Sequence, residues 1–93
     1  NFENVDEKVF RAVLITREAL RKGPSSVISL NAANEVAVEA FLNKKINFNK
    51  IIDIIEMTIL KSINSKISNI DDIIMVDRDA RNIAHSFVNK GGF

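Results

Sequence analysis

The sequence has no cysteine, one histidine, one proline and three glycines in 93 residues. Each scarcity removes a class of chemistry. Without cysteine there is no disulfide framework, no thiolate-ligated metal and no thiol nucleophile. With His85 alone, a two-histidine metal site cannot be built. Gly23, Gly91 and Gly92 cannot form a phosphate-cradling or dinucleotide-binding loop. The serines lack a sharp glycine-flanked turn, and a lone histidine gives no triad. The apolar runs, such as Ile54–Ile55 and Ile73–Val76, are far too short to span a bilayer. The opening stretch, Asn1-Phe2-Glu3-Asn4-Val5-Asp6-Glu7, is acidic and polar, unlike a signal peptide. It begins without methionine, so a fragment of a longer, cytoplasmic protein is the expectation.

What remains is an ordinary globular balance, 46% hydrophobic and 27% charged, which argues against disorder. The length fits one domain over residues 1–93. A chain of this size buries only about 60–65% of its unfolded surface, so its stability margin is thin. The net charge of +1 gives no electrostatic reason to expect a nucleic-acid partner.

Periodicity points to helices throughout. Val9, Phe10, Val13, Leu14 and Leu20 recur at helical spacing in a first helix over about Asp6–Lys22, capped by Asn4 or Asp6. Gly23-Pro24 ends it, and Ser25-Ser26 begins a connection. A second helix covers Asn31–Lys44, with a start as early as Val27 left open. Ala33, Val36, Ala37, Ala40 and Phe41 form its apolar stripe. Ile46-Asn47-Phe48 reads as a short extended link. Asn49 caps a third helix, Lys50–Ile63, with Ile51, Ile52, Ile55 and Ile59 on one face and Ile54 and Leu60 widening it. Ser62–Ser68 is a polar loop, and Ser68-x-x-Asp71 has capping-box spacing. A short helical turn, Ile70–Met75, precedes a last helix capped by Asp77 and running from Arg78 to about Asn89. Ala80, Ile83, Ala84, Phe87 and Val88 face inward there, and Gly91-Gly92 stops it. The fold class is all-α, a small bundle of about four helices.

Candidate chemistry is sparse. His85 reads as a surface or partly buried side chain. Asp71, Asp72, Asp77 and Asp79 read as capping and solvated acids, because hard cations need several converging oxygens. Arg11, Arg17, Arg21 and Lys22 form a strip that Glu7 and Glu18 interrupt, and no aromatics interleave for base stacking. Asn31, Asn34 and Glu35 stand out as a structural motif. Placed at a helix start, the asparagine oxygens would accept from free backbone N–H groups, and Glu35 would complement the dipole. The sharper alternative has one asparagine reaching the backbone of another segment.

The segment Leu30-Asn31-Ala32-Ala33-Asn34-Glu35-Val36-Ala37-Val38-Glu39-Ala40-Phe41-Leu42 closely resembles the C-terminal region of 1-deoxy-D-xylulose 5-phosphate reductoisomerases. The resemblance extends through Glu18-Ala19-Leu20 with Gly23, and through Ile46-x-Phe48-x-x-Ile51. It continues in Asp72-Ile73-Ile74-x-Val76-Asp77, then Ala80-Arg81 and Ala84. Arg11 and Arg17 depart from the family pattern on the first helix. The resemblance implies a C-terminal helical domain of an NADPH- and Mg²⁺- or Mn²⁺-dependent oxidoreductase of isoprenoid biosynthesis, which makes 2-C-methyl-D-erythritol 4-phosphate. None of that family's catalytic, cofactor or metal motifs matches a position here, so no such residue is carried over. Its implied partners are the remaining domains of the same enzyme, with no nucleic acid and no membrane, and a homodimer stays open. The implied job is structural. A free-standing helical interaction module using the Ile51/Ile55/Ile59 face is the alternative, and a small nucleic-acid-binding domain a weaker one. Such a docking domain should expose an apolar patch, expected near Leu30 or Ile46–Phe48. If the asparagines cap or cross-link, Asn31→Leu or Asn34→Leu should lower the melting temperature more than Asn43→Leu, as thermal unfolding followed by circular dichroism would show.

Overall fold

The computed structural model describes residues 4–90. They form four α-helices: α1 (Val5–Lys22), α2 (Pro24–Leu42), α3 (Lys50–Lys61) and α4 (Ile70–Asn89). The Gly91-Gly92 stop lies outside the described residues.

Asn4 starts α1 with a full capping box. Its side chain accepts from Glu7 N–H at 2.8 Å, and its own N–H donates to Glu7 Oε1 at 3.1 Å. Gly23 ends α1 by donating its N–H to Ala19 O at 3.1 Å. The expected connection after it does not exist. Gly23 adopts φ 116°, ψ −172°, a region open essentially to glycine, and α2 begins at the next residue with Pro24 in its first turn. The Gly-Pro pair is therefore a one-residue joint between two helices. Ser25, Ser26 and Ser29, read from sequence as linker or early helix, are buried helical residues.

That early start makes α2 the centre of the bundle. Ala32, Ala33, Val36, Ala37 and Ala40 are buried together with the serines. All three other helices touch α2. Small side chains around its circumference allow this, because they let neighbouring backbones approach closely. The helix stops in a Schellman motif: Lys45 N–H reaches Ala40 O at 2.8 Å and Lys44 N–H reaches Phe41 O at 3.0 Å. Lys44 takes the left-handed conformation, φ 62°, and lies outside the helix that was expected to include it.

Ile46–Phe48 is part of an irregular turn, not an extended link. Asn49 makes no side-chain cap. Its backbone is already helical, and turn bonds from Lys50 N–H to Asn47 O and from Ile51 N–H to Phe48 O start the helix instead. Ile51, Ile54, Ile55 and Ile59 are buried, while Leu60 points to solvent. The expected turn and final helix fuse into one helix of 20 residues. Its cap is Asn69, which accepts from Asp72 N–H at 2.9 Å, and Asp72 in turn accepts from Ser68 N–H at 2.9 Å. The side-chain cap thus sits one residue from the predicted position and is not the reciprocal box expected, because Asp72 accepts from Ser68 and not from Asn69. Asp77 caps nothing and lies inside α4.

The inward residues of α4 are as expected: Ala80, Ala84, Phe87 and Val88 are buried and Ile83 packs beside them. They meet Ala33, Val36, Ala37, Ala40 and the α3 isoleucines in one core. Thr58 is fully buried within α3, and its hydroxyl has no hydrogen-bond partner among the described residues. Such a group costs free energy that an apolar replacement would recover. Thr58→Val is therefore expected to raise stability by about 1 kcal/mol. Ile54→Ala, at a site with no exposure, should lower it by about 2–5 kcal/mol. Urea unfolding midpoints of the two variants should move in opposite directions.

Candidate functional site

Titratable groups are dispersed over the surface. Among the described residues no group of three or more His, Asp or Glu side chains could hold a metal ion. No helix among them is long and apolar enough to cross a membrane. His85 is exposed on α4. Asp71 and Asp79 are exposed, whereas Asp72 and Asp77 are engaged in the cap and in an ion pair.

One of two polar clusters that join helices among the described residues centres on Arg81. Its Nε donates to Asp77 Oδ2 at 2.8 Å, one turn earlier on α4, and its Nη2 donates to Glu35 Oε1 at 2.6 Å on α2. Asp77 and Glu35 together hold the guanidinium pKa above its ordinary value. Glu35 is also the acceptor for the Asn31 amide, at a marginal 3.5 Å. Asn34 is exposed and its side chain makes no hydrogen bond among the described residues. Because α2 starts at Pro24, both asparagines lie in its interior, where no free N–H groups wait to be capped. Neither one reaches another segment. Sequence reasoning expected capping or cross-segment bonds that these asparagine side chains do not make among the described residues. It missed Arg81, whose helical spacing from Asp77 was visible.

A second bond network was also missed. The Ser25 hydroxyl donates to Ile63 O at 3.4 Å and accepts from Ser65 N–H at 3.1 Å. Together with Asn64, whose amide donates to Lys22 O at 3.4 Å, it fastens the 62–69 segment to the start of α2. Beside it lies a groove of about 520 Å³ lined by Ser29, Ile63, Met75, Val76, Ala80 and Ile83. Its walls suit an apolar side chain and contain no convergent catalytic groups.

The apolar surface is concentrated elsewhere. Val9, Phe10, Val13, Leu14 and Leu20 on α1 are all exposed, as are Ile70, Ile73, Ile74 and Met75 at the start of α4. Near the positions expected for a patch, Phe48 is exposed and stacks edge-on against Phe41, while Leu30 and Ile46 pack against the core. Arg11 clasps α1 to α3, with Nη2 3.0 Å from both Asp53 Oδ1 and Glu56 Oε1.

The fold is a small all-α bundle with polar clasps between helices and two apolar outer faces. Comparison with known proteins gives the family. The chain matches the model of the DXP reductoisomerase C-terminal domain over residues 1–83 and belongs to that family. Similar proteins named 1-deoxy-D-xylulose 5-phosphate reductoisomerase include one from Acinetobacter baumannii, 38% identical over 99% of this chain and 23% of its own. Another, from Acinetobacter baylyi, is 40% identical over 97% of this chain and 23% of its own. A third, from Colwellia psychrerythraea, is 37% identical over 94% and 21% respectively. The chain thus spans under a quarter of the length of the curated relatives it matches.

The Arg81 clasp is partly exposed, so its contribution is modest. Arg81→Met should destabilise by about 1 kcal/mol, and 1 M salt should narrow the gap to wild type. The geometry removes the capping basis for a special asparagine effect. Asn31→Leu, Asn34→Leu and Asn43→Leu are now expected to fall within about 0.5 kcal/mol of one another. Parallel melts of the four variants at low and high salt check both statements.

Proposed function

We propose that this chain is the helical C-terminal domain of a reductoisomerase that converts 1-deoxy-D-xylulose 5-phosphate into 2-C-methyl-D-erythritol 4-phosphate with NADPH and a divalent cation, in the cytoplasm. The single observation that carries the reading is family membership along almost the whole chain, combined with coverage of only 23% of the relatives. The residues present do not fit the cofactors. The acids are dispersed or committed to Arg11, Arg21, Arg81 and the α4 cap, and Gly23 is a helix joint. No step of the reaction is therefore assigned to this domain.

Its role in this reading is support. Glu35 ties α2 to α4 through Arg81, while Asn31 and Asn34 extend the same exposed polar face of α2. The partners are the remaining domains of the same enzyme, with neither nucleic acid nor membrane. The exposed faces of α1 and α4 favour such a docked domain over a free-standing one, since a chain of its own would carry that apolar surface into water. Calorimetric titration of the isolated 93-residue chain with NADPH should give no binding heat, with helicity verified by circular dichroism. Stoichiometric micromolar binding would overturn the reading.

A further inference from the structure

An 18-residue helix normally turns one apolar stripe to its core and a polar face to water, and α1 does not. Ile15 packs on the core and Ala19 is buried, the one fully buried residue of the helix. Outside that narrow contact, Val9 is 58% exposed, Phe10 63% and Leu20 64%. Val9, Val13 and Leu20 line a shallow groove with Ala12, Thr16 and Arg17. A helix apolar over more than one face is the pattern of a helix buried on more than one side.

Arg17 gives this face its chemistry. Arg21 is bonded to Glu18, Arg11 to α3 and Arg81 to α2. Arg17, in the middle of the apolar stripe, has no carboxylate partner among the described residues. A covering surface must therefore be apolar and offer a carboxylate or carbonyl oxygen to a guanidinium. A second copy docked by two-fold symmetry would offer the same stripe, and so bring like charges together at the contact. The remaining chain of a reductoisomerase is not bound to repeat this stripe or its charge. In a C-terminal domain it leads directly into α1, so it meets this face at high effective concentration.

Resting on the reading above, we propose that the Val9/Val13/Arg17/Leu20 face of α1 is where the preceding domains of the same polypeptide dock, with an acceptor oxygen opposite Arg17. The test uses the full-length polypeptide with single cysteines introduced by Val13→Cys, Leu20→Cys, Ile74→Cys or Leu42→Cys. This domain supplies no background thiol. Peptide-resolved mass spectrometry reads the maleimide labelling rate at each position. Val13→Cys and Leu20→Cys should label at least tenfold more slowly than Leu42→Cys. Adding Arg17→Glu should restore fast labelling at the position of Leu20, while Arg17→Lys should not. Fast labelling on α1 with protection at the Ile74→Cys position overturns the assignment of this face and leaves the C-terminal-domain reading intact. Fast labelling at all four positions likewise overturns the assignment of this face. Protection on α1 that vanishes on dilution means that a second copy covers it and also overturns the proposal.

Discussion

The bundle depends on close approach to one helix. α2 must accept three neighbours, and it can do so because Ser25, Ser26, Ser29, Ala32, Ala33, Ala37 and Ala40 present little more than a β-carbon or a hydroxyl. Larger side chains would hold α1, α3 and α4 away from a common axis and open voids between them. The bulk that fills the core comes from the periphery instead, from Ile51, Ile54, Ile55 and Ile59 on α3 and from Phe87 and Val88 on α4. The division of labour explains why α2 tolerates three buried serines. Ser25 is satisfied by the 62–69 segment, whereas Ser29 has no partner among the described residues.

The same arrangement explains what could be read from sequence. The inward set of α4 and most of that of α3, Leu60 excepted, were legible because each helix is amphipathic, with a bulky apolar stripe at helical spacing. The α2 stripe from Ala33 to Phe41 was legible from helical spacing alone, since α2 is not amphipathic and its buried residues are mostly small. Its first two turns were not. Gly-Pro-Ser-Ser has the composition of a linker, and only the surrounding helices make those serines interior. At Asp77 an acid before an apolar run looks the same whether it caps a helix or pairs with Arg81 one turn on. Only the continuous backbone from Asn69 decides.

The bonds of Asn31, Asn34 and Glu35 were not legible in the sequence. The stretch from Leu30 to Leu42 marked both the family and the helix on which the others rest. The roles of Asn31 and Asn34 were misplaced because they followed from a helix start that lies further back, at Pro24. The two departures from the family pattern have structural places. Arg11 became the bridge from α1 to Asp53 and Glu56, and Arg17 stands in the outer stripe of the same helix.

The joint at Gly23 constrains how the chain can vary in length. Successive residues of an α-helix advance by about 100° around its axis. One residue separates α1 from α2, so an insertion or deletion there cannot be absorbed by slack. It would turn every side chain of α1 by about a third of a revolution relative to α2, exchanging Ile15 and Ala19 for residues of the outer stripe. The 62–69 segment, which has no regular structure of its own, can loop out added residues at small entropic cost. The α3–α4 connection can therefore change length without disturbing the core, whereas the joint at Gly23 fixes the phase of α1 against α2.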